Sequence, residues 1–123
     1  MKKDIKNRED IEQLINTFYD KVKQDDVIGF IFNDVAKVNW QKHLPVMYDF
    51  WENIIFFSNK YSGNPMAVHM HLNQLVQLNK KHFERWISLF TGTVDELFEG
   101  SYASLAKEKA KGIAAIMQYK ILT

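Results

Sequence analysis

Residues 39–59 read NWQKHLPVMYDFWENIIFFSN, which is a strongly amphipathic segment of the chain. Five of its residues advance by four, three, four and three positions, which is the spacing of one helical face. They are His43, Met47, Phe50, Ile54 and Phe57. Trp40 and Trp51 widen the apolar surface beyond this stripe, so the pattern predicts a helix buried on more than one side. Pro45 is tolerated if that helix begins near residue 42, and it predicts a bend if the helix begins earlier.

Helical spacing also governs the chain before this stretch. Asn7 can cap a helix together with Asp10, because this pattern satisfies free N–H groups of a first turn. The apolar positions that follow are Ile11, Leu14, Ile15, Phe18, Tyr19 and Val22. Their spacing turns Tyr19 inward. Residues 27–32 contain Gly29, and we interpret them as a corner or a single turn.

The chain after this stretch predicts two more helices. Residues 81–98 hold helical spacing, Gly100 ends that segment, and Ser101 can cap a final helix. The apolar positions of the final helix are Leu105, Ala106, Ala110, Ile113, Met117 and Ile121. We interpret the polar residues 73–81 as an extended or weakly helical connector. No segment alternates between apolar and polar residues over a strand length, so the sequence favours the all-α class.

The composition fits one domain over residues 1–123 and excludes several classes of chemistry. Cysteine is absent, which removes disulfides, iron–sulfur clusters and thiolate-bound metals. The 16 basic and 15 acidic residues are mixed along the chain, so no surface for nucleic acid is expected. Neither a signal segment nor a membrane span is apparent, and we expect a cytoplasmic protein. Motifs of conventional hydrolases, kinases and di-iron proteins are missing.

His43 lies on the apolar stripe, where a hydrophobic residue is expected. A single histidine in such a position is more often a hydrogen-bonded core residue than a functional one. Downstream, His69 follows the Gly-Asn-Pro break at 63–65, so two imidazoles on separate helical pieces can face each other across an aromatic-rich interior. That is the minimum requirement for a haem pocket. His71 is two residues from His69, and a helix turns only one of the two toward such a cavity.

Tyr19 and Trp86 bring two further polar groups to the inner faces of their helices. Each carries a donor that needs a partner when it is buried. For Tyr19, His43 or Trp86 taken singly, a backbone carbonyl is the simpler partner. Together, the three predict a polar spot in an apolar cavity, which is the usual composition of a small-ligand pocket.

An ordered set of short segments carries a family resemblance. They are Phe18-Tyr19, Ile28-Gly29-Phe30-Ile31-Phe32, Trp40-Gln41-Lys42-His43, Phe50-Trp51-Glu52, residues 61–69 (YSGNPMAVH) and residues 82–90 (HFERWISLF). In identity and order they resemble the group III truncated haemoglobins, and the resemblance covers essentially the whole chain. The chain also lacks the Gly-Gly motifs of the other two truncated groups.

The resemblance implies a two-over-two helical sandwich around one haem b. From its position after Gly-x-Pro, the resemblance implies that the proximal iron ligand is His69 and not His71. It makes Tyr19, His43 and Trp86 the distal polar residues. The other expected haem contacts are Phe32, Met47, Phe50, Ile54 and Phe83.

Three functions are compatible with this sequence. The first is tight, reversible binding of oxygen, or of NO or CO, at a five-coordinate haem iron, with oxygen transport as a role. The second is redox chemistry at the same iron, either NO dioxygenation or a peroxidase-like reaction with electrons from a separate reductase. The third is a haem-free helical interaction module. The first two use the same residues, and the sequence does not choose between them.

Overall fold

Four α-helices make up most of the computed structural model, which describes residues 2–35, 39–56 and 79–122. They are α1 (Arg8–Lys23), α2 (Trp40–Phe56), α3 (Lys80–Leu97) and α4 (Ser101–Leu122), with a π-helical turn at Ile31–Val35. The described residues form no strand, so the all-α prediction is confirmed. In the same residues, no helix has the length and apolarity needed to cross a membrane.

The four helices pack in a closed ring. Helix α1 packs against α2 and α3, and α4 packs against the same two helices. Asn7 starts α1 as predicted, because its side chain accepts the N–H of Asp10 at 3.0 Å. Each helix buries its apolar face against two neighbours, which is the arrangement of a two-layer helical sandwich.

Aromatic rings fill the interior of this ring of helices. Phe18 of α1 and Phe90 of α3 are fully buried and meet edge to face, with 5.2 Å between their ring centroids. Trp51 of α2 stacks on Phe90 at 4.6 Å. Three helices are therefore joined through three rings, a contact type that adds to the hydrophobic effect of burial.

Alanines form the buried stripe of α4. They are Ala103, Ala106, Ala110 and Ala114. Small side chains let a helix approach its neighbours closely. Leu105 and Ile113, which the sequence placed in the core, lie half-buried beside this stripe. The side chains of Met117 and Ile121 lie outside the described residues.

The start of α4 is capped from the other end of the chain. The helix begins at Ser101, and the Asp4 carboxylate accepts the N–H groups of Tyr102 at 3.0 Å and Ala103 at 2.9 Å. The expectation that Ser101 supplies the cap is therefore corrected. Gly100 has φ +139°, and a Cβ there would lie 2.5 Å from Asp4 Cγ, so this approach requires glycine.

Helix α3 begins with a reciprocal cap. The Asn79 side chain accepts the N–H of His82, and His82 Nδ1 accepts the N–H of Asn79, both at 3.2 Å. Lys80 and Lys81 therefore belong to the helix and not to the predicted connector, whose residues 73–78 lie outside the described part.

Helix α2 begins at Trp40, earlier than the start that would place Pro45 in its first turn. The carbonyl of Gln41 consequently has no N–H partner four residues on. The predicted end of this helix, residues 57–59, lies outside the described residues. The corner predicted at 27–32 is confirmed: the Asp25 carboxylate accepts the N–H groups of Val27 and Ile28 at 3.0 Å, and the π-helical turn follows.

Candidate functional site

Tyr19 and His43 meet inside the ring of helices. Tyr19 lies on the buried face of α1 and is 5% exposed, while His43 lies half-buried in the opening turns of α2. His43 Nε2 is 3.4 Å from Tyr19 Oη. This distance is long compared with the ~2.7–2.8 Å typical of hydroxyl hydrogen bonds. Among the described residues, His43 is the one that reaches the hydroxyl of Tyr19, so this buried donor is only weakly engaged.

Two further aromatic rings surround this pair. The ring centroid of Trp40 lies 5.2 Å from that of Tyr19 and 5.7 Å from that of His43. Phe32, an expected haem contact, lies 6.2 Å from Tyr19 and stacks on Trp40 at 6.2 Å. The polar pair therefore lies in an aromatic wall, where a hydrogen bond is less weakened by water.

Burial raises the pKa of Tyr19 far above its ordinary value. The cause is the loss of hydration that the phenolate would suffer in this interior. Tyr19 therefore keeps its proton throughout the physiological pH range. The hydroxyl can act as a hydrogen-bond donor there, and it is unsuited to act as a base.

Trp86 of α3 shares Phe18 as an aromatic neighbour with Tyr19. Its ring contacts Phe18 edge to face and stacks on Phe90, each at 5.8 Å. Phe18 in turn contacts Tyr19 at 4.8 Å. Within the described part of the chain, the half-buried indole N–H of Trp86 has no protein acceptor. Among the described residues, Tyr19 thus contacts His43 directly, and Trp86 is linked to Tyr19 through Phe18, which both rings contact.

The other predicted cofactor contacts divide into two sets. Phe50 and Phe83 are buried. Met47 and Ile54 are half-buried and pack against the core on the same face of α2 as His43. This face is apolar and partly accessible, which suits an apolar ligand.

The predicted iron ligand lies outside the described residues, as do its neighbours. His69, His71 and the break at 63–65 all fall between residues 57 and 78. In the part of the chain that the structure describes, no group of three His, Cys, Asp or Glu side chains could hold a metal ion. His82 is engaged in the helix cap, and burial, together with the charge of Lys81, lowers its pKa.

Sequence reasoning did not place Trp40 or Lys23 at the site. Lys23 Nζ lies 4.6 Å from the centroid of the Trp40 ring, so the end of α1 also contacts this wall. Trp40 precedes His43 by three residues on the same helix, and that spacing alone places the two on one face. The contact of Lys23 has no comparable signal, because it joins two helices.

The chain belongs to the Bacterial-like globin family, which its residues 3–119 match. Proteins of this class bind haem, and the chain is a haem-binding globin. It is similar to the group 3 truncated hemoglobin ctb of Campylobacter jejuni, with 28% identity over 121 residues that cover 96% of this chain and 93% of that protein.

A solved structure gives the same result for the fold. The crystal structure of the group III truncated hemoglobin from Campylobacter jejuni matches with a TM-score of 0.84 and 27% identity, over 98% of this chain and 95% of that one. The truncated-globin fold and the resemblance to group III truncated haemoglobins, both expected from the sequence, are confirmed.

The described side chains fit a haem group and a small ligand beside it. The partly accessible face of α2 is apolar around Met47 and Ile54, as a flat hydrocarbon ring requires. The buried Tyr19 hydroxyl and the Trp86 indole each keep donor capacity that the described protein groups do not use well. Each of the two donors can therefore bond an acceptor atom placed beside it.

Proposed function

We propose that this protein holds haem b through His69 and binds oxygen, or another diatomic gas, beside Tyr19. The observation that carries the proposal is the buried, protonated Tyr19 hydroxyl, whose contact with His43 is 3.4 Å long. Similarity to a truncated hemoglobin over 96% of the chain supports it. When bound, haem supplies an iron atom with one open side that takes O2, NO or CO.

Tyr19 acts in this proposal as the principal donor to the ligand. A hydroxyl donating to an acceptor that carries partial negative charge forms a shorter and stronger bond than a neutral pair does. Such a bond contributes ~1.5–3 kcal/mol, more than the weak contact with His43 can offer. The hydroxyl therefore turns toward the ligand, and slow ligand release follows.

Trp86 and His43 have secondary roles. The indole N–H of Trp86 can only donate, and the Trp86 ring contacts Phe18, which also contacts Tyr19. His43 either controls ligand access or adds a third donor, depending on which ring nitrogen carries the proton. Phe32, Met47, Phe50, Ile54 and Phe83 line the haem in this proposal.

The absorption spectrum of the purified protein tests the cofactor. A Soret band is expected for the wild type, and its absence would favour a haem-free helical module.

His69→Ala is expected to abolish stable haem incorporation because it removes the protein bond to iron. His71→Ala is the matched control and should keep a normal Soret band. If the two variants behaved the other way round, the assignment of His69 would be wrong.

Redox chemistry at the same iron is the second candidate function. The contact between His43 and Tyr19 favours it, because an ionisable imidazole beside a ligand donor can pass a proton to it. The test is turnover of NO with oxygen, or of peroxide, in the presence of a separate reductase. A His43→Leu variant that loses turnover but keeps oxygen binding would support the enzyme. If the wild-type protein turns over no faster than free haem, the redox function is excluded.

A further inference from the structure

Trp40 contacts both members of the Tyr19–His43 pair. The three ring centroids form a triangle with sides of 5.2 Å, 5.3 Å and 5.7 Å. Trp40 and His43 are three residues apart on α2, so their side chains lie on the same face of that helix. The indole of Trp40 therefore fills the space beside the imidazole and the phenol at once.

Two groups hold Trp40 in place. Phe32 stacks on its ring with an angle of 29° between the planes, and Lys23 Nζ lies 4.6 Å from its centroid. Asn33 Nδ2 donates to the carbonyl of Lys23 at 2.9 Å, which fastens the π-helical turn to the end of α1. An aromatic ring held by a stacked ring and a cation has few alternative orientations.

From this geometry we propose that Trp40 is a positioning residue that keeps His43 from forming a full hydrogen bond with Tyr19. The proposal rests on the function proposed above. The bulk of the Trp40 indole holds the imidazole at 3.4 Å from the Tyr19 hydroxyl, so the Tyr19 proton stays available to the ligand. A smaller side chain at position 40 lets the imidazole approach, and the Tyr19–His43 bond then competes with the bond to the ligand.

The experiment measures oxygen dissociation from the ferrous holoprotein by stopped flow. Trp40→Leu is expected to raise the dissociation rate by about 3- to 10-fold, which corresponds to weakening one hydrogen bond. Trp40→Phe keeps a ring at the position and should restore most of the wild-type rate. An unchanged rate in Trp40→Leu would overturn the proposal.

Trp51 provides the matched control on the same helix. It is a buried tryptophan of α2 whose ring stacks on Phe90, and among the described residues it makes no ring contact with Tyr19 or His43. Trp51→Phe should lower stability while its dissociation rate stays within about twofold of the wild type. A rate increase equal to that of Trp40→Leu would mean that general loosening of the core is the cause, and would overturn the proposal.

A double-mutant cycle separates this proposal from the proposed function. If Trp40 acts through Tyr19, Trp40→Leu has no further effect on the dissociation rate in a Tyr19→Phe background. An equal effect in both backgrounds would overturn the positioning role alone. If Tyr19→Phe itself leaves the rate unchanged, the proposed donor function fails, and the positioning role fails with it.

Discussion

The N-terminal clasp, formed by Lys3, Asp4 and Asp10, and the surroundings of Tyr19 engage their polar groups in opposite ways. The carboxylate of Asp4 accepts three backbone N–H groups at 2.9–3.0 Å. Asp10 accepts the ammonium of Lys3 at 2.8 Å and the N–H of Lys6 at 2.9 Å. The hydroxyl of Tyr19, a residue as buried as Asp10, has one hydrogen-bond contact among the described residues, at 3.4 Å.

Asp4 and Asp10 hold the fold together, whereas we propose that the weak contact of Tyr19 leaves its proton available to a ligand. A buried acceptor with all its partners contributes to stability, and losing a partner leaves it unsatisfied. A buried donor without a good partner costs stability, and it is retained where a ligand supplies the partner. Substitutions in the clasp should therefore change stability, and substitutions in the pocket should change ligand kinetics.

The largest effect is expected from a methyl group added at position 100, against Asp4 of the clasp. In Gly100→Ala, the φ of +139° is strained and the new Cβ displaces Asp4. We expect a loss of about 3 kcal/mol in the free energy of unfolding, from backbone strain and the lost cap together. Urea denaturation measures it. Gly92→Ala in α3 is the control: its Cβ would meet nothing within 4 Å, and a gain of ~0.5–1 kcal/mol is expected. Equal behaviour of the two variants would contradict the clasp geometry.

The pocket should respond in the opposite way. Tyr19→Phe deletes the hydroxyl and keeps the ring, so oxygen dissociation should accelerate by about 10- to 100-fold while stability changes by less than ~1 kcal/mol. Stopped-flow kinetics and urea denaturation of the same samples measure both. An unchanged rate would assign Tyr19 to the core.

Trp86→Phe should also accelerate dissociation, and the two changes together should be non-additive if both donors bond the same ligand.

The clasp also predicts how stability depends on acid. Burial alone would raise the pKa of Asp4, but the N–H groups of Tyr102, Ala103 and Ile5 outweigh it and hold that pKa below its usual 3.8. A carboxyl with a lowered folded-state pKa stabilises the protein above about pH 4, and this contribution is lost as the pH falls further.

Asp4→Asn tests this dependence. We expect the variant to be ~1 kcal/mol less stable than the wild type at pH 7, as for loss of a helix cap, and the difference to shrink at pH 3. Urea denaturation at the two pH values measures it. Glu99→Gln, an exposed change near the clasp, should alter stability by less than ~0.5 kcal/mol at either pH. A constant difference for Asp4→Asn would show that its charge has no part in the cap.

The smallest effect is expected at the edge of the pocket. His43→Leu should keep haem bound and change the rate of CO association by less than about tenfold, the range of one neutral hydrogen bond. Flash photolysis measures this rate, and haem transfer to an acceptor protein measures haem affinity, which should change less. A six-coordinate low-spin spectrum of the unliganded ferrous wild type, lost in His43→Leu, would instead make His43 an iron ligand.

Local patterns in the amino-acid sequence were enough to predict the helices and the polar residue types around Tyr19. The spacing of apolar residues is a local property, so it placed Tyr19 on the inner face of α1 and His43 on that of α2. The family motifs gave the globin fold, which the comparisons confirm. The assignment of His69 to the iron stays a prediction, since that residue lies outside the described part of the chain.

Helix packing, by contrast, sets which of these residues meet. The cap of α4 comes from Asp4, about a hundred positions before Tyr102, and no local pattern encodes a contact over that distance. The same holds for Trp40 against Tyr19 and for Phe18 against Trp86. Periodicity fixes the face on which a side chain lies, whereas helix packing fixes its neighbours, because packing depends on the shapes of all the buried side chains together.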